Sequence, residues 1–435
     1  MPTTKTKRLP KINLDLHSLP SSETIVRREL SNGIVVLVRE NHTSPSVVLD
    51  GDMRTGALWE PRGRAGLADF TATALMRGAE GRTFAEIYEQ IESVGASLGT
   101  SGGTHTSGFY GKSLAEDLGL LLQIAADVLR RPTFPEEQVE RLRGEILTRL
   151  AIRDNNTRAR ATEAFYELAY PNHPYSLDEE GYPETIQAIT RDDLVAFHRQ
   201  HYGPRGMIVT IVGAVRAADT VALVEKYFGD WSNPNQSPEP PLPPVTRPQG
   251  LVTRRVAMPG KIQSDIVLGL PGPARSHPHY VAARLANNIL GVFGMGGRIG
   301  EFVREKGGMA YYAASALTGG LGPGPWYAYA GVNPKNVERA IELIQREIKK
   351  VVTRKVTAEE LADNQANFIG RLPLSLETND SVAGMVSSLE LYNLGLDYLQ
   401  RYPGLIQAVT RDEILGVARE FLSAENVALA VAGPE

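Results

Sequence analysis

The stretch with the most chemical promise is Gly294-Met295-Gly296-Gly297-Arg298-Ile299-Gly300-Glu301-Phe302-Val303-Arg304-Glu305-Lys306-Gly307-Gly308-Met309-Ala310-Tyr311-Tyr312. Glycines ahead of a helix can cradle phosphate on backbone N–H groups. The Gly-Lys-Ser/Thr of a P-loop is missing, however, and no dinucleotide fingerprint follows a strand. The plain reading is a flexible loop and an amphipathic helix stopped by Gly307 and Gly308. A second stretch, Gly66-Leu67-Ala68-Asp69-Phe70-Thr71-Ala72-Thr73-Ala74-Leu75-Met76-Arg77-Gly78, reads as an apolar helix packed in a core and ended by glycine. His198 and His201 stand three apart without an evident third ligand, which predicts a surface helix. Asp178-Glu179-Glu180 reads as a solvated turn. With no cysteine in the chain, disulfide scaffolds, thiolate zinc sites, iron–sulfur clusters and Cys nucleophiles are excluded together. No Gly-x-Ser-x-Gly elbow is present.

The elements that must position these residues follow from pattern. The 435 residues are too many for one compact core. Hydrophobic content of 42% and charged content of 22% are ordinary for globular domains and argue against disorder. A net charge of −4 makes the chain a poor binder of nucleic-acid backbone. No run approaches the ~18 apolar residues of a membrane span. The first residues are basic and polar, without an apolar h-region or cleavage site, so a cytoplasmic location is expected. Prolines at 234, 238, 240, 241, 243, 244 and 248 predict an extended, semi-rigid spacer. The predicted organisation is a domain over 1–233, a linker over 234–249 and a domain over 250–435.

The two halves repeat each other. Tyr182-Pro183-x-x-Ile186-Gln187-Ala188-Ile189-Thr190-Arg191-Asp192 recurs 220 residues later as Tyr402-Pro403-x-x-Ile406-Gln407-Ala408-Val409-Thr410-Arg411-Asp412. Ten of the 33 positions from 182 to 214 match at that offset, which indicates a doubled domain rather than a solenoid. Thr190 reads as a helix N-cap before acidic first-turn residues, and a strand should follow over 207–212, repeated at 427–432. Strands are predicted over 24–30 and 34–40, joined at Asn32-Gly33, and over 46–54. Helices are predicted over 66–76, 84–94, 115–129 and 135–168. The second half should hold strands over 251–258 and 264–270 and helices over 280–290, 334–352 and 358–370. The fold class is therefore α+β: two homologous domains, each a mixed, partly antiparallel sheet covered by helices.

The Gly66–Gly78 helix follows a strand ending Arg54-Thr55-Gly56-Ala57-Leu58-Trp59-Glu60. Here the chain resembles the insulinase/pitrilysin/mitochondrial-processing-peptidase family, peptidase family M16, whose helix reads Gly-Leu-Ala-His-Phe-x-Glu-His with small variations. The resemblance spans most of the chain and both halves. In the family this helix carries His-x-x-Glu-His, two histidines on one face sharing a zinc beside a general-base Glu, and a Glu on a later helix completes the ligands. The resemblance maps those positions to Asp69, Ala72, Thr73 and Arg149. Alanine takes no proton, threonine rarely binds zinc and arginine repels a cation, so no metal is expected in this chain. Arg-Glu-Lys-x-Gly-apolar-Ala-Tyr resembles the family's second-half signature, which implies that Arg304 grips substrate carbonyls and Tyr311 stabilises an oxyanion at a facing zinc site. The Gly95–Thr104 stretch resembles the family's edge strand that pairs with substrate backbone, with Gly99, Thr100 and Ser101 as its centre.

The resemblance thus implies a zinc-free subunit of a two-chain peptidase. Its partner would be a homologous chain with an intact His-x-x-Glu-His and the zinc. Its substrates would be unfolded or short peptides, with no role for nucleic acid or membrane. A non-catalytic peptide-binding or assembly protein is the alternative, and an independent peptidase with an unrecognised site is the third possibility.

Overall fold

The computed structural model describes residues 15–434. The first half holds strands β1 (Val26–Glu29), β2 (Val35–Glu40), β3 (Ser46–Met53), the two-residue pair β4 (Gly78–Ala79) and β5 (Arg82–Thr83), β6 (Ser97–Gly102), β7 (Ser107–Leu114) and β8 (Ile208–Gly213). Its helices are α1 (Leu67–Ala74), α2 (Phe84–Ser93), α3 (Leu118–Arg130), α4 (Glu136–Asp154), α5 (Thr157–Ala169), α6 (Pro183–Ala188), α7 (Arg191–His201) and α8 (Ala217–Phe228). The second half holds β9 (Leu251–Ala257), β10 (Ser264–Pro271), β11 (Ala310–Leu317), β12 (Pro325–Val332) and β13 (Val427–Gly433). Its helices are α9 (Tyr280–Gly291), the kinked α10 (Phe293–Ile299), α11 (Val337–Thr353), α12 (Ala358–Arg371), α13 (Asn379–Leu391), α14 (Tyr398–Ala408) and α15 (Arg411–Phe421).

Topology carries the duplication. The first sheet runs β1-β2-β8-β3-β7-β6 and the second β11-β12-β10-β13-β9. In each, one pair is parallel, β2 with β8 and β9 with β13, and every other neighbour is antiparallel. Thus β9, β13, β10, β12 and β11 repeat β2, β8, β3, β7 and β6, and β1 is the first sheet's extra strand. The central strands β8 and β13 are buried at every position, as apolar strands covered on both faces must be. Threonine starts α7 and α15 in the same way: Thr190 caps Asp193 N–H and Thr410 caps Glu413 N–H, each at 3.2 Å, with the carboxylate reaching back to the cap amide.

The chain divides into two compact units, and the division is not sequential. One unit comprises Pro20–Pro244 together with Leu376–Asp397, and the other, of the described residues, 15–19, Val245–Ser375 and 398–434. Helix α13, numbered in the second domain by the sequence reading, therefore packs in the first unit. Period-2 alternation explains how. Val36, Val38, Val47, Leu49, Val209 and Ile211 face one core with α1, α3 and α8, while Leu37, Val48, Ile208 and Val212 face Val382, Ala383 and Val386 of α13 on the opposite side. Polar contacts fix the helix ends. Arg27 forks onto Glu390 at 2.8 and 3.0 Å, Asn41 Nδ2 donates to Asn379 Oδ1 at 2.7 Å, and Ser387 Oγ donates to Asp52 Oδ2 at 3.0 Å.

Three expectations need correction. The helix predicted over 135–168 breaks into α4 and α5 because Asn155 and Asn156 interrupt it, Asn156 Oδ1 capping Ala159 N–H at 3.0 Å. The proline-rich stretch carries no helix or strand, but it is no free spacer as far as Pro244. Gln236 is buried and bonds Gly203 and Arg205, Trp59 Nε1 donates to Pro238 O at 3.2 Å, and His173 Nε2 bonds Pro243 O at 3.1 Å. His198 and His201 do not decorate a surface. His201 is buried, His198 bonds Leu129 O at 2.8 Å, and burial pushes both imidazoles down to about 4. Among the described residues no helix is long and apolar enough to cross a membrane.

Candidate functional site

The first locus is assembled from α1, β6, α4 and the turn at 178–181. Helix α1 begins at Gly66, whose φ of +94° and whose closeness to Glu180 O, 2.8 Å from where a Cβ would stand, admit only glycine. No side chain at the cap position serves this helix. Glu60 does so from six residues upstream, accepting from Gly66 N–H at 3.2 Å and Ala68 N–H at 2.6 Å. Burial pushes the Glu60 carboxyl up to about 8; the two amides oppose this, and the charges of Asp69 and Glu179 add to it. A carboxyl whose pKa rises on folding stabilises most below its unfolded value and loses that contribution as pH climbs through the folded value. Unfolding free energy should therefore fall between about pH 4.5 and 8, and Glu60→Gln should flatten that slope in denaturant titrations across the range. An unchanged slope would remove Glu60 as its source.

Asp69 and Arg149, 80 residues apart, do meet. The Asp69 side chain is 15% exposed; its Oδ2 lies 3.4 Å from Arg149 Nη2, and its Oδ1 accepts Gly102 N–H at 3.2 Å. Arg149 Nε donates to Glu180 Oε1 at 2.9 Å. One turn further on, Arg153 pairs with Asp178 at 2.8 Å and bonds Gly181 O at 3.0 Å, so Asp178-Glu179-Glu180 is an ion-paired turn and not merely a solvated one. Ala72 is fully buried, and its carbonyl accepts from Thr100 Oγ1 at 2.7 Å; Thr73 is half-buried. Burial pushes Asp69 up to about 6, with Gly102 N–H and Arg149 pulling against it. The donor set is one carboxylate, one methyl, one hydroxyl and one guanidinium. The permanent cation already stands between the carboxylates, so these residues do not fit a zinc ion. Among the described residues no group of three His, Cys, Asp or Glu side chains could hold a metal.

Among the described residues strand β6 is an edge, paired only with β7. Gly102 N–H points away from β7 toward Asp69, so the antiparallel alternation turns the N–H and C=O groups of Leu98 and Thr100 outward as well. Gly99 and Ser101 use theirs on β7. Of Gly99, Thr100 and Ser101, only Thr100 offers main-chain groups to an added strand, and Leu98, inside the predicted edge stretch but beside its three central residues, offers the neighbouring rung.

The second locus lies at β11, the counterpart of β6 and likewise an edge. Gly294, Gly296 and Gly297 take positive φ, and a Cβ on Gly296 would stand 2.5 Å from Ala313 O, so the glycines let the loop lie against β11. A π-helical turn over Gly300–Glu305 carries Arg304, and Gly308, at φ +59°, turns the chain and donates to Arg304 O at 2.9 Å. The ladder to β12 then skips a residue between Ala310 and Tyr312. That bulge re-aims Tyr311, which is 74% exposed; the Arg304 side chain is 39% exposed, 4.0 Å from Glu305. Tyr312 points the other way, bonding Asp265 and packing beside Tyr329. The neighbouring tyrosines are thus told apart by the bulge, which sequence spacing does not reveal.

Two duplicated α+β units, each with a helix-flanked edge strand beside a polar locus, define the class of scaffold. Comparisons with known proteins narrow it. Residues 35–179 match the family description "Insulinase (Peptidase family M16)" and residues 188–368 match "Peptidase M16 inactive domain". An uncharacterized zinc protease of Mycobacterium leprae is 26% identical over 95% of this chain and 92% of its own. The mitochondrial-processing peptidase subunit beta of Pongo abelii is 24% identical over 87% of this chain and 78% of its own. The crystal structure of a peptidase M16 inactive domain from Pseudomonas fluorescens superposes with a TM-score of 0.87 at 24% identity, covering 94% of this chain and 98% of that one. The chain belongs to peptidase family M16.

Proposed function

We propose that this chain is the zinc-free subunit of a two-chain M16 peptidase and that Arg304 and Tyr311 are its contribution to the reaction. The contrast between the two loci carries the reading. The first is closed by an Asp69–Arg149–Glu180 ion triad, while the second presents a guanidinium and a phenol to solvent on either side of the Gly307-Gly308 turn. The hydrolytic metal would be held by a homologous partner with an intact His-x-x-Glu-His. Arg304 would orient peptide carbonyls through its fork of donors, and the Tyr311 O–H would donate to the developing oxyanion. Purified alone, the chain should hold no stoichiometric zinc and leave unfolded peptides uncut, and mixing with the partner should produce cleavage. One zinc per lone chain, with hydrolysis, would overturn the proposal. A non-catalytic peptide-binding role is favoured by the outward rungs of β6 alone, and would show as peptide affinity with no activating partner.

A further inference from the structure

The ion triad raises a question of its own: what a guanidinium held between two carboxylates does at the end of an edge strand. Two arginines of α4 reach α1: Arg143 lies over the Phe70 ring, 5.3 Å from its centroid, and Arg149 meets the Asp69 carboxylate. The Nη2 of Arg149 lies 3.4 Å from Asp69 on α1, and its Nε donates at 2.9 Å to Glu180 in the 178–181 turn. Arg153, one turn away on the same helix, holds that turn independently through Asp178 and Gly181 O. Asp69 uses its other oxygen on Gly102 N–H at 3.2 Å. There is no slack at this point, because a Cβ on Gly102 would stand 2.5 Å from Asp69 Cα. Leu98, Thr100 and Gly102 share the outward phase of β6, and the last of the three is occupied by Asp69.

We propose that Arg149 is a positioning residue: through Asp69 it clamps the Gly102 amide and so sets where an added strand on β6 must stop. Two rungs, Leu98 and Thr100, stay open, and the third is closed from within. An extended peptide pairing here is limited to a short main-chain register and turned away from β6 at Gly102. Arg149 is the fixed cation facing Asp69, one that cannot exchange with solvent ions. The peptide register rests on the reading of β6 as a peptide-pairing edge; the clamp itself does not.

Residue-resolved amide hydrogen exchange on the full-length lone chain tests the clamp. In the wild type, Gly102 N–H should exchange at least about tenfold more slowly than the amides of Leu98 and Thr100, as a hydrogen bond to a charged acceptor implies. Asp69→Ala should remove that difference. Arg149→Met should remove most of it, and Arg149→Lys, which keeps the charge, should retain more than Met does. Equal exchange at the three amides of the wild type overturns the proposal before any variant is made, and Lys behaving like Met overturns the role of the charge. An added extended peptide should protect Leu98 and Thr100 but leave Gly102 unchanged. New protection at Gly102 would overturn the stop, whereas absence of protection anywhere would count against the peptide-edge reading and not against the clamp.

Discussion

In the two-chain peptidase proposed above, Tyr311→Phe should lower kcat by about 10²–10³-fold, the loss that follows removal of one oxyanion donor. KM should change little, because a donor that engages only developing charge does not hold the ground state. The variant is clean: the ring is largely exposed and sits on a bulge, so losing one oxygen disturbs no packing. Arg304→Ala should raise KM as well as lower kcat, since a guanidinium grips carbonyls before and during reaction. Tyr312→Phe is the control. It loses the bond to the buried Asp265 and should cost about 1–3 kcal/mol of stability with kcat intact. Steady-state kinetics on a short peptide, beside thermal melts of each variant, decide the matter. Equal kcat for Tyr311→Phe and wild type would mean that the phenol takes no part.

The second large effect concerns folding. A fragment spanning 20–244 should fail to reach a native state unless residues 376–397 are supplied. Without α13, one face of the first sheet is bare at Ile25, Leu37, Val48, Ile208 and Val212, all at most 5% exposed in the intact chain. At ~1.5–3 kcal/mol for each buried aliphatic side chain, the loss rivals the ~5–15 kcal/mol of a whole domain. The fork of Arg27 on Glu390 goes with it. The expected observations are loss of near-UV circular dichroism and self-association on a sizing column, both corrected by co-expressing the 376–397 segment. Val386→Asp in the full chain should destabilise by several kcal/mol, about what an unpaired buried charge costs. A 20–244 fragment melting cooperatively at the intact chain's temperature would show that α13 is dispensable.

Local features of the fold were readable and distant ones were not. Capping threonines, the Asn-Gly turn and the 220-residue echo are written in adjacent residues, so the helix starts, the β1–β2 hairpin and the doubled architecture could be drawn from sequence. Apolar spacing continues through Asn155-Asn156 and so predicts one unbroken helix over 135–168; only the cap bond at 156 betrays the break. The packing of α13 left no local mark, since an apolar face does not name the sheet it will cover. At the site, the family motif located Asp69 and Arg149, and their ion pair brings the two positions together. It could not show that Asp69 spends its second oxygen on β6, that Glu60 caps α1 from six residues away, or that Tyr311 rather than Tyr312 faces solvent. Those facts depend on main-chain direction and on a bulge.

The matched threonine caps at 190 and 410 bear on more than helix starts. Both copies carry the punctuation that tells the backbone where to begin, while their polar loci differ: an internal salt link in the first, an exposed guanidinium and phenol in the second. Foldability and reactivity are therefore written in separate residues of this scaffold. A protein engineer could rewrite the chemistry of either copy while leaving its assembly instructions untouched.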